Sequence, residues 1–358
     1  MTKKLCLVIS SLGPGGMERV MSELAECFCQ KQIVVHLVLY GIKPEIFYHL
    51  PVNIIIHKPS FRFNNRLRIW FTLKTFIYLR SEIKKIRPDS VLSFGEYWNN
   101  FVLLALYGFK CPVYVSDRCQ PDKSLGNFHN LLRKFLYPRA AGVIVQTNIA
   151  KDIYQRMLPE AKLYVIGNPI RTIVKEPGIL KENIVLSVGR LIKTKHHDEL
   201  IRIFVKVNPS NWKLVIIGDD ANRQQNKARL NALIKELNAE DKVLLAGTRN
   251  DVDTFYKKSK IFAFTSSSEG FPNVIGEAMS AGLPVIAFDC IAGPSELIQN
   301  KINGLLIKLF DYEEYERSLI ILMKDDSLRK SMGENAQSSI TRFSTKIVSE
   351  TYYSVLVS

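Results

Sequence analysis

The sequence predicts an α/β protein built from two doubly wound, Rossmann-like domains. Its 358 residues exceed what one hydrophobic core usually holds. Short runs that are apolar on both faces alternate with helical patterns, which is typical of parallel strands covered by helices. Residues 168–178, with two prolines and no periodicity, interrupt the alternation and predict a linker. We expect a ligand cleft between the domains, at the carboxyl ends of the strands.

The first predicted domain covers residues 1–168. It opens with a βαβ unit made of a strand at 5–9, a glycine-rich turn, a helix over about 16–30 and a strand at 33–39. Further strand-like runs follow, with helical segments between them, at residues 52–56, 90–94, 112–116, 142–145 and 163–166. Helical crossovers between successive strands are what a parallel sheet requires.

The second predicted domain covers residues 169–338 and starts with a strand at 183–189. The same alternation continues with strand-like runs at residues 212–218, 242–246, 260–265, 284–288 and 304–307. A last helical pattern lies at about 345–357, within a terminal segment that covers residues 339–358.

Most of the positive charge lies in the first half of the chain. Residues 1–170 carry 23 Lys and Arg against 11 Asp and Glu, a balance of +12 out of a net +15. Between Arg62 and Arg87, eight basic residues face a single acid, Glu82, with aromatic and aliphatic residues among them. Such a helix either lies on an anionic membrane surface or packs its apolar face on the sheet and leaves its basic face in water. We expect no nucleic-acid partner, because no helix-turn-helix, zinc-finger or RNP pattern accompanies the charge.

Other features of the composition indicate a cytoplasmic protein. Residues 1–10 run directly into a strand, and no apolar run approaches the roughly 18 residues that span a bilayer. The expected location is therefore the cytoplasm, peripheral on the inner face of the cell membrane where the basic segment binds lipid. The six cysteines contain no C-x-x-C pair, so the sequence predicts free thiols, without disulfides and without a metal site.

The most informative segment is residues 266–287, where Glu269 and Glu277 lie eight positions apart around a predicted helix start. Glu269 is expected on the loop that follows a strand, and Glu277 about one turn into the helix. One carboxylate can then contact a group beyond a bound phosphate, and the other can turn back toward it. This arrangement suits a sugar nucleotide, which has hydroxyls at both ends and a diphosphate between them.

The predicted helix start is itself suited to an anion. The chain turns at Gly270, and Pro272 is favoured at a first helical position because its missing N–H would have no partner there. A helix over about 273–281 would present free N–H groups near Asn273 and Val274, together with the positive end of its dipole. The alternative is a simple turn followed by a solvated helix.

With this segment the chain resembles the retaining nucleotide-sugar glycosyltransferases of family 4, which have the GT-B fold of two Rossmann-like domains facing a central cleft. The resemblance implies that Glu269 lies by the donor sugar and that Glu277 holds the ribose hydroxyls. It also implies that the backbone between them contacts sugar and phosphate, at Gly270, Phe271, Pro272, Asn273 and Val274. In GT-B proteins the last helix commonly packs back on the first domain, so we expect this of residues 339–358.

A glycine-rich turn at residues 11–19 follows the first strand. It fails the G-x-G-x-x-G dinucleotide pattern because Glu18 occupies the third glycine position, so a nicotinamide cofactor is not expected. The backbone at Gly15 and Gly16 can still approach a phosphate or sugar closely. The turn is similar to the GGxER loop of the family, which faces the donor.

Two basic residues follow the first strand of the second domain. Arg190 leaves the strand end and Lys195 comes five residues later, so both cations can converge on a diphosphate. In the family this pair binds the leaving diphosphate. His196 stands where the family often has glycine, which affects the expected shape of the loop.

Two weaker sites complete the resemblance. Thr248 and Arg249 lie where the family places the nucleobase. On the acceptor side, many members have histidines where this chain has Glu96 and Asp117-Arg118-Cys119. Arg118 is therefore a candidate contact for the acceptor or a phosphate, with a structural ion pair as the alternative.

The resemblance implies a metal-independent, retaining glycosyltransferase that uses Glu269, Arg190 and Lys195 in catalysis. The expected donor is a UDP-linked hexose or N-acetylhexosamine, which acts as co-substrate, and no cofactor is expected. The expected acceptor is a lipid-linked glycan in surface polysaccharide biosynthesis. Two alternatives stay open, a GT-B-type UDP-sugar epimerase, which needs no acceptor, and a basic module that binds membranes without catalysis.

Overall fold

The computed structural model describes residues 2–13, 15–41, 46–174, 176–207, 210–220 and 224–357. The chain divides into two compact units, Met1–Pro169 with Thr345–Ser358 and Ile170–Ser344. Each unit contains one parallel sheet covered by helices, which confirms the predicted α/β class with two Rossmann-like domains.

The sheet of the first unit has the order β3-β2-β1-β4-β5-β6-β7, with every neighbouring pair parallel. Its strands are β1 (Lys4–Ile9), β2 (Val34–Leu39), β3 (Ile55–His57), β4 (Ser90–Phe94), β5 (Val113–Ser116), β6 (Gly142–Val145) and β7 (Leu163–Val165). Its helices are α1 (Gly16–Cys29), α2 (Arg68–Ile86), α3 (Glu96–Ala105), α4 (Asn127–Leu136) and α5 (Asn148–Met157). A short 3-10 turn, Asn65–Leu67, leads into α2.

The sheet of the second unit has the order β10-β9-β8-β11-β12-β13 and is also parallel. Its strands are β8 (Ile184–Val188), β9 (Lys213–Ile217), β10 (Val243–Gly247), β11 (Ile261–Phe264), β12 (Val285–Asp289) and β13 (Gly304–Lys308). Its helices are α6 (His197–Val207), α7 (Asn226–Glu236), α8 (Val252–Lys258), α9 (Asn273–Ser280), α10 (Pro294–Leu297), α11 (Tyr312–Lys324) and α12 (Asp326–Ser339).

The central strands explain why the sequence pattern is easy to read. In β1, the residues from Leu5 to Ile9 are buried, because strands pair with both of its edges and helices cover both faces.

The predicted strand at 52–56 is wrong in its first half. Ile54 N–H donates to the Pro51 carbonyl at 3.2 Å in a turn, and the strand begins at Ile55.

The last helix, α13 (Thr345–Val357), belongs to the first unit. Its Tyr353 ring lies 6.4 Å from Phe28 of α1, and its Tyr352 ring lies 6.3 Å from Phe94 of β4. Residues 340–343 form a 3-10 turn that belongs to the second unit. Within the described residues, no helix is both long enough and apolar enough to cross a membrane.

In each sheet the strand order reverses next to the first strand of the unit. β1 lies between β2 and β4, and β8 lies between β9 and β11. Loops that leave neighbouring strands on opposite sides of such a reversal open a crevice at the carboxyl edge of the sheet, where α/β proteins bind ligands. The loops after β8 and β11 carry the predicted donor motifs.

Candidate active site

The loop after β8 is short and tightly packed. A Cβ built on Gly218, after β9, would lie 2.0 Å from the Gly189 carbonyl oxygen, so only glycine allows the two strand ends to approach this closely. The chain then forms a 3-10 turn, Lys193–Lys195, and ends it at His196 with a φ of +48°. That left-handed conformation favours glycine. Here a histidine adopts it, and its Nε2 lies 2.9 Å from Ser267 Oγ.

Hydrogen bonds join this turn to the end of β11. Ser267 N–H donates to the Thr194 carbonyl at 2.8 Å, and the Thr265 hydroxyl donates to the Lys195 carbonyl at 2.7 Å. The motif that contains Lys195 and the segment that contains Glu269 therefore form one surface, although they are far apart in the sequence.

Lys195 and Glu269 form an ion pair between Nζ and Oε1. Their side chains are only 16% and 15% exposed. The aliphatic part of the Lys195 side chain passes beside Gly189, and a Cβ built on Gly189 would lie 3.4 Å from Lys195 Cε. The Lys195 Nζ lies 5.3 Å from the centre of the Phe264 ring. Two residues to which the resemblance assigns a catalytic role thus form an ion pair with each other.

Arg190 is the third predicted catalytic residue, and it follows β8 directly. Its side chain is exposed, and no ion pair or side-chain hydrogen bond holds it within the described part of the chain. A guanidinium in this position is available to an anion, for which it offers a planar set of donors.

Glu277 is buried on α9 and is held from two sides. Arg171 Nε lies 3.2 Å from Glu277 Oε1, and the Tyr256 hydroxyl donates to Glu277 Oε2 at 3.1 Å. Arg171 also pairs with Asp253 through Nη1. Burial lowers the pKa of Arg171, but Glu277 and Asp253 outweigh it, so the pKa lies above its ordinary value.

Sequence reasoning missed Arg171 and Tyr256. Arg171 lies in the predicted linker, where no periodicity indicates a contact with a helix. Gly276 on α9 makes the contact possible, because a Cβ there would lie 2.6 Å from Ile170 Cδ1. The glycine at this helical position is the signal that another segment of chain lies against the helix.

The start of α9 differs from the prediction. Asn273 N–H donates to the Phe271 carbonyl at 3.0 Å, across Pro272 with φ of −83° and ψ of 80°. This is an inverse γ-turn, which the proline ring favours by fixing φ. Pro272 therefore precedes the helix instead of being its first residue, and the N–H of Asn273 is not free. Of the two N–H groups that the sequence proposed, that of Val274 has no hydrogen-bond partner among the described residues.

A glycine in the loop after β12 packs against the Glu269 turn. A Cβ built on Gly293 would lie 3.2 Å from Glu269 Cβ and 3.3 Å from Pro272 Cδ. Gly270 and Phe271 lie between these two contacts, and the Phe271 ring is buried 5.3 Å from that of Phe343. Small size at position 293 thus helps to set the position of the Glu269 backbone.

Thr248 and Arg249 follow β10 at the edge of the second sheet, and both are exposed. The Arg249 guanidinium is bound by Asp251 through Nε and Nη2, each at 2.8 Å, and lies 5.5 Å from the centre of the Phe255 ring. Their contact with a base stays a prediction. No three His, Cys, Asp or Glu side chains in the described ranges group as a metal site requires, and metal independence stays a prediction too.

In the first unit, Gly15 precedes α1 and Gly16 begins it. The Tyr48 hydroxyl accepts from Gly15 N–H at 3.1 Å and donates to the Gly15 carbonyl at 2.8 Å. A Cβ on Gly15 would lie 2.2 Å from Glu18 Oε2. The glycine therefore gives room to a neighbouring carboxylate, and its N–H is engaged by Tyr48 instead of being free for a ligand.

The contact of Arg118 with an acceptor or a phosphate stays a prediction. Its guanidinium donates to Asn168 Oδ1 and, at 2.8 Å, to the Tyr352 hydroxyl, and it stacks 3.7 Å from the centre of the Phe94 ring. These partners are neutral, and among the described residues no carboxylate forms an ion pair with the Arg118 guanidinium. Burial lowers the pKa of Arg118. Its observed role is to tie α13 to the end of β4.

Asp117, the residue before Arg118, is buried in a network of hydroxyl and amide groups. Its carboxylate accepts from Tyr137 at 2.7 Å, from Asn99 at 2.8 Å and from Tyr154. Burial, with a smaller effect of the nearby Glu96, raises the pKa of Asp117 to about 6. These contacts occupy the carboxylate, which is therefore structural.

The chain matches two family models. Residues 14–173 match the model described as Glycosyltransferase Family 4, and residues 169–339 match Glycosyl transferases group 1. The two matches together extend over both units.

Two curated relatives match over nearly their full length. The N-acetylgalactosamine-N,N′-diacetylbacillosaminyl-diphospho-undecaprenol 4-α-N-acetylgalactosaminyltransferase of Campylobacter jejuni is 30% identical over 357 residues, which cover 95% of this chain and 96% of the relative. The amylovoran biosynthesis glycosyltransferase AmsD of Erwinia amylovora is 28% identical, over 99% of this chain and 100% of that protein.

A solved structure, HepE from Anabaena in complex with UDP, superimposes with a TM-score of 0.81 and 19% identity, over 99% of each chain. At this identity the likeness concerns the fold, and it confirms the fold class expected from the sequence.

Proposed function

This chain belongs to glycosyltransferase family 4 and is a glycosyltransferase, and on that premise we propose that it transfers a hexose or N-acetylhexosamine from a UDP-sugar to an acceptor hydroxyl. The proposed transfer retains the anomeric configuration and needs no metal ion. The observation that carries the proposal is the Lys195–Glu269 ion pair at the strand-order reversal of the second sheet, where the exposed Arg190 also follows β8.

Donor binding would open the Lys195–Glu269 ion pair. The diphosphate becomes the partner of Lys195 and Arg190, and the Val274 N–H at the start of α9 adds a donor together with the helix dipole. Glu269 is then free to accept hydrogen bonds from the sugar hydroxyls. After binding, Lys195 is paired with the diphosphate, and the Glu269 carboxylate is stabilised by hydrogen bonds from the sugar hydroxyls.

In the proposed reaction the bond between the anomeric carbon and the diphosphate oxygen breaks while the acceptor oxygen bonds to the same face of the carbon. The proton of the acceptor hydroxyl passes to the departing diphosphate oxygen, and the products are UDP and the glycoside. Arg190 and Lys195 stabilise the negative charge that develops on the diphosphate, which is the kind of electrostatic effect that dominates many active sites.

Glu277 would bind the ribose. Its carboxylate is fixed by Arg171 and Tyr256, and a carboxylate that cannot rotate loses little entropy when it accepts two hydroxyl groups. Glu277 lies about one helical turn beyond Val274, the proposed diphosphate contact at the start of α9.

For the acceptor we propose a polyprenyl-diphosphate-linked glycan in surface polysaccharide biosynthesis. The Campylobacter relative is named for a diphospho-undecaprenol substrate, and the Erwinia relative for amylovoran biosynthesis. The surface of the first unit supports a lipid-linked acceptor. On α2, three aliphatic residues form an exposed stripe at a spacing of four, Ile69 (81% exposed), Leu73 and Ile77.

A second exposed apolar stripe lies on α4 and includes Phe128 and Leu131. Basic residues lie beside both stripes, and each Lys or Arg near an anionic bilayer adds about 1 kcal/mol to binding. We therefore propose that the first unit docks on the inner face of the cell membrane.

A donor panel tests the proposed function. UDP-sugars and other nucleotide-sugars are incubated with the protein, with and without a lipid extract that contains polyprenyl-linked acceptors, and release of the nucleoside diphosphate is measured. We expect release from one UDP-hexose or UDP-N-acetylhexosamine that depends on the extract. Turnover of the donor without any acceptor would indicate an epimerase instead, and no turnover of any donor would indicate a binding module.

A further inference from the structure

A groove in the first unit lies between α2 and α3, and the donor chemistry does not use it. Its volume is about 640 Å³, within the range of cavities that bind small molecules. Aromatic side chains form much of its wall, namely Tyr40, Phe63, Tyr97, Trp98 and Phe101. An apolar chain can pack against such a wall.

The wall of the groove is held in place by ring contacts. The Tyr40 ring meets that of Trp98 edge-on with centres 5.6 Å apart, and it stacks on Phe101 at 5.9 Å. Phe101 in turn meets Phe76 of α2 at 6.1 Å. Aromatic pairs at these distances are favourable, so the contacts stabilise the wall of the groove.

The groove opens at the carboxyl edge of the first sheet. Tyr40 and Gly41 follow β2 directly, and Trp98 lies in the first turn of α3, just after β4. A Cβ built on Gly95 would lie 3.3 Å from both Met17 Sδ and Trp98 Cδ1. The wall residue Trp98 thus packs close to Met17 of α1, next to the strand-order reversal of this sheet, where α/β proteins bind ligands.

Arg68, on the groove wall, can bind an anion. Arg68 begins α2 and is exposed, with no ion pair found for its guanidinium in the part of the chain that the structure describes. His129 of α4 lies on the same wall and accepts, through its backbone carbonyl, from Asn100 Nδ2 at 3.0 Å. An apolar trough with a cation beside it matches a molecule that joins a hydrocarbon chain to a phosphate.

We propose that this groove binds the first isoprene units of a polyprenyl diphosphate, with the diphosphate beside Arg68. The inference rests on the proposed function, because it assigns a place to the lipid part of the acceptor. The bulk bilayer is a poorer occupant, since a concave trough between two helices holds one chain, whereas the convex stripes on α2 and α4 face outward and suit a bilayer surface.

The test uses farnesyl diphosphate as the probe and the full chain without any donor. Binding is followed by the fluorescence of Trp98, one of three tryptophans in the sequence. We expect a saturable change that farnesyl diphosphate produces at a concentration at least about tenfold lower than inorganic diphosphate does, because the chain adds apolar burial. Replacing the reporter, Trp98→Phe, should remove most of the signal.

Two variants separate the parts of the site. Thr72→Phe places a ring in the groove from the exposed face of α2, and it should weaken farnesyl diphosphate binding by about tenfold. Thr351→Phe is the matched control, because Thr351 is also an exposed helical threonine whose hydroxyl bonds the carbonyl four residues earlier. Arg68→Met should weaken farnesyl diphosphate binding and leave farnesol binding unchanged.

Three outcomes would contradict the proposal that the groove binds a polyprenyl diphosphate. They are wild-type binding of farnesyl diphosphate by Thr72→Phe, equal binding of inorganic diphosphate, and the same fluorescence change with anionic phosphatidylglycerol vesicles that lack prenyl lipid. The result of the donor panel does not depend on the result of the farnesyl diphosphate binding test. Transfer without farnesyl diphosphate binding would refute the groove alone, and farnesyl diphosphate binding without transfer from any donor would refute the proposed function alone.

Discussion

Glu277 shows how much of the proposed site depends on single contacts. Its carboxylate would contact ribose, but its orientation depends on Arg171, a residue from the segment before the second sheet, and on the Tyr256 hydroxyl. Removing either partner frees the carboxylate without changing the groups that would meet the diphosphate. Arg171 is thus a positioning residue, which acts through Glu277.

We predict that Arg171→Met raises KM for the UDP-sugar by about tenfold and changes kcat little. The reason is that ribose is held equally in the ground state and the transition state, so a lost ribose contact affects KM alone. Steady-state rates of UDP release measure both constants. Arg171→Lys should restore part of the affinity, because the ammonium keeps one of the contacts.

Arg317→Met is the matched control. Arg317 lies exposed on α11 and pairs with Glu314 at 3.0 Å, so the change removes a surface ion pair away from the donor motifs. It should leave KM unchanged. If Arg171→Met shared the wild-type KM, Glu277 would not need its partner and the assigned role of Arg171 would be wrong.

At the scale of elements, a chain of hydrogen bonds joins α2 to the edge of the first sheet. His36 Nδ1 of β2 lies 3.0 Å from His57 Nε2 of β3, and His57 Nδ1 lies 3.1 Å from Glu82 Oε2 of α2. Burial, then the nearby His57 and Lys4, lower the pKa of His36 to about 4. His36 is therefore neutral in the folded protein at neutral pH.

This lowered pKa predicts a pH-dependent stability. Below a pH of about 6.5 the unfolded chain binds a proton at His36 that the folded protein binds only near pH 4, so the free energy of unfolding falls as the pH drops through this range. From pH 7.5 to pH 5 the contribution of His36 to this loss is about 2 kcal/mol.

Urea unfolding of the wild type and of His36→Gln at the two pH values measures this contribution. From pH 7.5 to pH 5, the free energy of unfolding of the wild type should fall by about 2 kcal/mol more than that of the variant. Equal losses in the two proteins would show that His36 does not stay neutral in the folded state.

The elements also show what the sequence could predict. Strands such as β1 and β4 lie between two neighbouring strands and two layers of helices, so nearly all of their residues are buried and most are apolar, which makes them visible as runs. The start of α9 was harder to predict, because the same local sequence fits Pro272 in an inverse γ-turn and Pro272 as the first residue of a helix. Only the hydrogen bond from Asn273 to Phe271 distinguishes them.

At the scale of the whole molecule, the predicted pairing of distant motifs depends on topology. The sequence brings Lys195 and Glu269 to the same sheet edge because β8 and β11 are neighbours in a doubly wound sheet. It could not predict Arg171 against α9 or Arg118 against α13, because those contacts join a segment without periodicity, or the end of the chain, to elements far away in the sequence. A glycine inside a helix, such as Gly276, is the sequence feature that indicates a close contact of this kind.

The charge of the first unit and its exposed apolar stripes predict binding to anionic membranes. Ile77→Ser removes the apolar group from one position of the α2 stripe and should weaken binding to phosphatidylglycerol vesicles by about tenfold, because burial of an isoleucine side chain contributes roughly 1.5–3 kcal/mol. Sedimentation with vesicles measures the binding, which should also weaken as salt rises.

The control is Ile321→Ser, which changes an isoleucine of α11 in the second unit that is 52% exposed, compared with 65% for Ile77. Vesicle binding by this variant should equal that of the wild type. If the two variants bound vesicles equally, the α2 stripe would not be the surface that meets the membrane.

The proposed function depends most on Lys195, which would bind the donor diphosphate together with Arg190. Its most direct test is the rate of UDP release from the UDP-sugar identified by the donor panel, with lipid acceptor present, for Lys195→Met and for Lys206→Met. Lys206 is an exposed lysine of the same unit that pairs with Glu316 on the surface. We predict that Lys195→Met lowers kcat/KM by at least about tenfold, the effect of losing one charged contact of about 1.4 kcal/mol, and that Lys206→Met has the wild-type rate. Wild-type turnover by Lys195→Met would contradict the account.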